Sequence, residues 1–293
     1  MNVQLERIKM NDVVLHVAEA GPKHGRLVIL LHGFPEYWEA WEGYFEPLVA
    51  AGYHVVAPDQ RGYNLSDKPS KVAAYDLNAL AVDVLGLADH FGQRCFTVVG
   101  HDWGGLVGWW IATCHAQRLE QLVLLNAPHP SIWREAMRSH PEQRRRSWYV
   151  SFFRLPWLPE ALLRRRRFKA LADTISQRAR PDAVTAAALD RYRAAWREPG
   201  ALTGMLNWYR AIWRTNLPPS SELRFITPVL LIWGEQDAFG VRALAEGSLR
   251  LCENGQAIYL QDATHWVQHD EPERCVKALL DFLGHSIRRS PSE

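Results

Sequence analysis

Residues 100–105 read GHDWGG. Gly100, Gly104 and Gly105 surround Asp102 as small residues do where a strand turns sharply into a helix, because a residue without a Cβ passes through backbone angles closed to others. Such a turn presents one side chain, here an aspartate where serine is the familiar nucleophile. Two readings follow: a reacting carboxylate, or a polar turn residue and helix cap. The surroundings bear on the choice. CFTVVGHD (95–102) is a β-branched apolar run, and LVILLHG (27–33), HVVAPD (54–59) and LEQLVLLNAP (119–128) are of the same kind. Runs without polar alternation suit strands covered on both faces. Between them Leu77, Leu80, Ala81, Val84, Ala88 and Phe91 recur at spacings of three and four, one helical stripe facing a sheet. Alternation of this kind predicts parallel strands joined by right-handed helical crossovers.

The pattern resumes after Pro218 with ITPVLLIWGEQD (226–237), AIYLQDATHW (257–266) and an amphipathic closing segment, DEPERCVKALLDFLGH (270–285). The intervening stretch differs: it has almost no β-run and is broken by Pro141, Pro156, Pro159, Pro181 and Pro199. The expected organisation is one α/β core, 1–129 plus 218–293, interrupted by a helical cap over 130–217. Charge divides the same way. The net charge of +2 conceals +11 between Pro130 and Leu217, where 17 of 18 basic residues are arginine, and −9 in the remainder. Runs such as RRRSW (144–148) and LLRRRRF (162–168) read as solvated faces of arginine-rich helices, since no nucleic-acid motif accompanies them.

Other classes drop out on composition. The 47% hydrophobic and 23% charged content excludes disordered and fibrous chains. The opening MNVQLERIKMNDVVLHVAEAG is charged throughout, and no apolar stretch reaches the roughly 18 residues of a membrane span. A cytoplasmic chain without a transmembrane segment is therefore expected. Cys95, Cys114, Cys252 and Cys275 lack C-x-x-C spacing, so reduced core cysteines are expected and neither a metal site nor a cofactor is implied. Thirteen tryptophans suit core packing and the walls of an apolar cavity.

Ligands of open parallel sheets sit beyond the carboxyl ends of the strands, and each reactive candidate falls at such an end. Asp102 follows CFTVVG, Asp237 follows PVLLIWGEQ, His265 follows AIYLQDAT, and HGFP (32–35) follows LVILL. Nucleophile, acid, histidine is the chain order of α/β-hydrolase triads. The backbone N–H groups of Trp103, opening the next helix, and Phe34, in the loop after LVILL, are placed to form an oxyanion hole.

These segments resemble the epoxide hydrolases of the α/β-hydrolase superfamily over nearly the whole chain: HGFPEYWEAW (32–41), DQRGYNLSDKP (59–69), GHDWGG, GEQDAF (234–239) and ATHWVQHDEPE (263–273). The resemblance implies a mostly parallel eight-stranded sheet flanked by helices, with the cap inserted. It also implies two cap tyrosines that hold the epoxide oxygen. Tyr149 in SWYVSFFRLP and Tyr209 in LNWYRAIWR match those motifs, whereas Tyr192 matches neither and reads as structural. The implied reaction opens a small apolar epoxide to a vicinal diol with water, through an ester on Asp102 that His265, oriented by Asp237, hydrolyses. Phe34, Trp103, Phe152, Trp208 and Trp266 are the expected pocket walls. His32, His101, His129, His269 and Glu36 read mainly as structural. A haloalkane dehalogenase with the same triad and a non-catalytic binder of apolar ligands remain as alternatives, and a monomer and a homodimer are equally compatible.

Overall fold

A computed structural model describes residues 2–287. Eight strands form one sheet in the order β1-β2-β4-β3-β5-β6-β7-β8. They are β1 (Gln4–Met10), β2 (Val13–Ala20), β3 (Leu27–Leu31), β4 (His54–Pro58), β5 (Phe96–His101), β6 (Leu119–Leu125), β7 (Val229–Gly234) and β8 (Gly255–Leu260). Pairing is parallel from β4 to β8 across the sheet and antiparallel for β1 with β2 and for β2 with β4. This is the mostly parallel eight-stranded architecture that the sequence predicts.

The crossovers are helical. α1 (Glu42–Ala50), α2 (Leu77–His90) and α3 (Trp103–Cys114) join the first strands. Then α4 (Pro130–Ser139), α5 (Pro141–Arg146), α6 (Trp148–Phe153), α7 (Leu158–Leu163), α8 (Arg165–Arg178), α9 (Ala186–Arg197) and α10 (Ala201–Ala211) all lie between β6 and β7, with no strand among them. α11 (Arg242–Leu249), α12 (Val267–Asp270) and α13 (Pro272–Ile287) complete the α-helices among the described residues.

Alternate strand residues feed two separate cores, as the pleat requires. Ile29, Val98 and Leu231 join the core under α2, α3 and α11, while Leu30, Val99 and Ile232 face α1 and α13. Burial on both faces is why these strands read as continuous apolar runs. The predicted stripe on α2 is buried from Leu77 to Ala88, with Asp76 capping the helix through the Ala79 N–H at 2.9 Å. All four cysteines are free; Cys275 is buried as expected, but Cys114 is exposed at the end of α3.

Two glycines let the chain close around Asp102. A Cβ on Gly104 would stand 2.2 Å from the Leu31 carbonyl oxygen, so α3 crosses the end of β3 only because that atom is missing. A Cβ on Gly33 would meet the Asp102 Cβ at 2.6 Å. Gly104→Ala is therefore expected to force α3 away from β3, costing about 2 kcal/mol or more. Urea unfolding would show this as a lower midpoint at unchanged slope, and an unchanged midpoint would contradict the close approach.

Candidate active site

Asp102 ends β5 and adopts φ 48°, ψ −117°, a strained conformation for a residue bearing a Cβ. Hydrogen bonds on both sides hold it there. Its own N–H donates to the Leu125 carbonyl of β6 at 3.3 Å, and the Leu106 N–H of α3 donates to its carbonyl at 3.0 Å. The side chain does not cap α3. It points out of the turn, one-fifth exposed, and Oδ1 accepts the Phe34 N–H at 2.9 Å. Trp103 is the first residue of α3, so its N–H has no partner within the helix and belongs to the same end.

His265 stands across from this carboxylate, with Nε2 3.6 Å from Asp102 Oδ2 and Nδ1 2.8 Å from Asp237 Oδ2. Asp237, in the turn after β7, is fully engaged. Oδ1 accepts the N–H groups of Phe239 and Gly240 at 2.6 and 2.9 Å, and Oδ2 also accepts from Asn126 Nδ2 at 2.7 Å. Burial alone would raise the Asp237 pKa, but His265, Asn126 and the backbone donors outweigh it and hold the carboxyl below its ordinary value. For His265, burial disfavours the cation; the Asp237 charge and the nearby Asp102 carboxylate overcome it and push the pKa up to about 10. The imidazole is thus an imidazolium between two carboxylates at neutral pH.

Tyr149 of α6 and Tyr209 of α10 close the site from the helical side, their rings 6.0 Å apart at 75°. Tyr209 rests edge-on against Phe34 and Trp103, with centroids at 5.1 and 4.9 Å. Burial, followed by the charges of Asp102 and Asp237, drives the Tyr149 phenol far above its usual pKa, and burial does the same for Tyr209. Both phenols stay protonated, as hydrogen-bond donors. Two chambers meet here, an inner one with a cavity volume of about 70 Å³ and a larger one of about 1010 Å³ that opens to solvent. Asp102, Tyr149, Tyr209, Asp237, Phe239 and His265 line both.

The expected walls divide. Trp103 lines the inner chamber, and Phe34, Phe152 and Trp266 line the outer one. Trp208 lines neither. It is wholly buried beyond Trp103, and its indole N–H donates to the Arg61 carbonyl at 3.0 Å, because one helical step of roughly 100° separates it from Tyr209 on α10 and turns it away from the chambers. The arginine runs largely keep the solvated faces expected of them, Arg144, Arg145 and Arg164–Arg167 being exposed; Arg146 departs, turning inward at the edge of the outer chamber to donate to the Gly240 carbonyl at 2.9 Å.

The remaining candidates are braces. Glu36 is a buried carboxylate accepting from His101 Nδ1 at 2.9 Å, His269 Nε2 at 2.6 Å, Gln268 Nε2 at 3.1 Å and the Tyr192 phenol at 3.3 Å. Burial opposes its charge, but the donors win and hold its pKa below the carboxylate range. The other His101 nitrogen meets the His265 carbonyl at 2.9 Å, so this buried cluster holds the His265 backbone from behind. His32 Nε2 accepts the Gln60 N–H at 3.1 Å and its Nδ1 faces the Gly33 carbonyl at 3.0 Å, steadying the loop of Phe34. His129 Nδ1 accepts the Ser131 N–H at 3.1 Å as the cap of α4, and burial lowers its pKa to about 3. Sequence reasoning passed over Asn126, whose side chain bonds Gly234 in both directions and Asp237 besides. Its signal was its position, just past the carboxyl end of β6. Among the described residues no grouping of three or more His, Cys, Asp or Glu side chains is suited to a metal, and no helix is long and apolar enough to cross a membrane.

Residues 26–272 match the model of the alpha/beta hydrolase fold family. The chain belongs to that family, in its epoxide-hydrolase group. It is 34% identical over 289 residues to Epoxide hydrolase 4 of Homo sapiens, an alignment covering 97% of this chain and 79% of that protein. It is 42% identical over 281 residues to the AB hydrolase superfamily protein YfhM of Bacillus subtilis (strain 168), covering 96% of this chain and 98% of that one. Among solved structures, a Bacillus megaterium epoxide hydrolase in complex with an inhibitor superposes with a TM-score of 0.87 at 29% identity, covering 95% of this chain and all of that one.

In this α/β hydrolase, an NMR titration of ring-labelled protein should find His265 protonated across neutrality, with a transition near pH 10. Because this pKa lies above the unfolded value of about 6.5, the imidazolium's stabilisation is complete below that pH and is lost as pH rises towards 10. Asp102→Asn removes one of the two charges that raise it, and so should move the transition downward; an unmoved transition would mean that the two side chains do not interact.

Proposed function

We propose that this α/β hydrolase converts an epoxide to a vicinal diol through an ester on Asp102, with the helical segment 130–217 serving as a cap that carries Tyr149 and Tyr209. The observation that carries the reading is the meeting of a carboxylate, an imidazolium and two protonated phenols where the chambers join. The named epoxide hydrolases among its relatives support the same chemistry.

A carboxylate with an ordinary pKa of about 3.9 is ionised at neutral pH and needs no base to attack carbon. Asp102 displaces the ring oxygen, forming a C–O ester bond while the epoxide C–O bond breaks. The developing alkoxide takes a proton from Tyr149 or Tyr209, which burial keeps protonated. The resulting phenolate is reprotonated by the His265 imidazolium. Esterification has meanwhile removed the Asp102 charge, so the pull on the His265 proton weakens when a neutral base is required.

Neutral His265, held by Asp237, then takes a proton from water as the hydroxide adds to the Asp102 carbonyl. The Phe34 and Trp103 N–H groups face the oxyanion, the first already bonding Asp102 Oδ1. Collapse breaks the ester C–O bond, and the departing alkoxide takes the proton of the new Asp102 carboxyl group, which releases the diol and leaves the carboxylate, the imidazolium and both phenols in their starting states. A serine at 102 would form an ether, which water does not readily cleave. The two chambers leave room for substituents on both sides of the epoxide, and the walls Trp103, Leu106 and Val150 favour an apolar one.

Single turnover of excess enzyme in ¹⁸O-water is expected to put label into the Asp102 carboxylate, read by peptide mass spectrometry, and none into the first diol released. Label in the diol alone would mean direct attack by water and end the ester mechanism. His265→Gln should form the adduct and hydrolyse it about 10³-fold more slowly, so the ester accumulates. Tyr149→Phe and Tyr209→Phe should each slow ring opening roughly 10²-fold. Wild-type rates in both, with haloalkanes turned over instead, would transfer the site to dehalogenation.

A further inference from the structure

The segment 144–167, RRRSWYVSFFRLPWLPEALLRRRR, contains eight arginines and one acidic residue, Glu160. Glu160 is occupied by Arg210 at 2.8 Å, which leaves the excess positive charge of the segment uncompensated from within. Arg144, Arg145, Arg154 and Arg164–Arg167 are all exposed. The same segment exposes large apolar side chains: Trp157 is 81% and Trp148 67% accessible, with Leu155, Leu158 and Leu162 between 41% and 47%. At Arg166–Phe168 the backbone turns left-handed for three residues, so that the two arginines stay outside while Phe168 enters the core. Tryptophan and leucine ringed by arginine is the composition of a protein surface that settles into the headgroup layer of a bilayer.

We infer that this face of the protein docks on an anionic phospholipid surface. Charge selects the occupant: a second copy of the chain would bring its own arginines against these, whereas acidic headgroups complement them. Geometry adds continuity with the site. Trp148, Leu162 and Arg145 belong both to this face and to the rim of the open chamber that leads to Asp102. A docked protein would open that chamber towards the lipid, the phase in which apolar epoxides concentrate. That last consequence rests on the proposed reaction, but the docking itself does not.

Flotation with vesicles tests it, using phosphatidylcholine alone and phosphatidylcholine enriched in phosphatidylglycerol. The wild-type chain should float only with the anionic vesicles, release as salt rises, and show a blue-shifted tryptophan emission that Trp157→Phe diminishes. Replacing Arg164, Arg165, Arg166 and Arg167 together by glutamine should weaken binding on the order of a hundredfold, and Trp157→Ser about tenfold. Neither variant touches the chambers, so turnover of a water-soluble epoxide should match wild type. Failure to float, equal binding to both vesicles, or variants that bind like wild type would overturn the inference. So would a dimer that Trp157→Ser dissolves without any vesicle binding. Loss of epoxide turnover in the wild-type chain, with flotation intact, would count against the reaction and leave the docking standing.

Discussion

The backbone of Asp102 is held in a conformation that few residues with a Cβ adopt, and the site is built around that constraint. The strain is tolerable because the turn is fastened from several directions: β6 accepts its N–H, α3 bonds its carbonyl, and the Phe34 N–H meets its carboxylate. Close approach of Gly33 and Gly104 leaves the turn little room to relax. A carboxylate fixed in this way needs only to be opposed by a partner at the right distance. The ends of β7 and β8 supply Asp237 and His265, because parallel strands bring all their carboxyl ends to one edge of the sheet.

Electrostatics then divides the labour. Four groups that would be unremarkable in water acquire fixed states here: Asp237 stays ionised through its four donors, His265 is charged through its two carboxylates, and the buried tyrosines Tyr149 and Tyr209 are neutral. Each state depends on the others. The imidazolium offsets charge that burial would otherwise penalise, and the two carboxylates reinforce the neutrality of Tyr149. Behind them Glu36, His101, Gln268 and His269 form a second buried polar cluster that bonds the His265 backbone, so the histidine is positioned from both its ring and its main chain. Buried polar clusters hold position well only when their members find partners, and here the carboxylate at the centre has four.

Legibility varied with how local the cause was. The strands from β3 to β8 were readable because covering both faces leaves an unbroken apolar run, and α2 because its stripe repeats at helical spacing. The β1–β2 hairpin carries no such signal: QLERIKM exposes most of its side chains at the edge of the sheet, and VVLHVAEA is buried along nearly its whole length while carrying His16 and Glu19, so it offers neither a clean alternation nor an unbroken apolar run. Asn126 has no motif of its own and matters only because β6 lies beside β7. Trp208 and Tyr209 are neighbours in the chain, yet one α10 residue faces Arg61 and the other the chambers. Nothing in their local sequence distinguishes which way each would turn.

By itself the sequence determined the kinds of chemical group available and the edge at which they gather: an aspartate in a glycine-lined turn, an acid and a histidine after later strands, and tyrosines in an arginine-rich helical stretch. Those follow from side-chain chemistry and strand order, both of which are properties of the chain. The tertiary structure alone decided the charge states, the division of the cavity, and the alignment of exposed tryptophans and arginines with its open rim. Each of these depends on distances between residues far apart in the chain. A pKa, a chamber wall and a surface patch arise only when folding brings such residues within a few ångströms of one another.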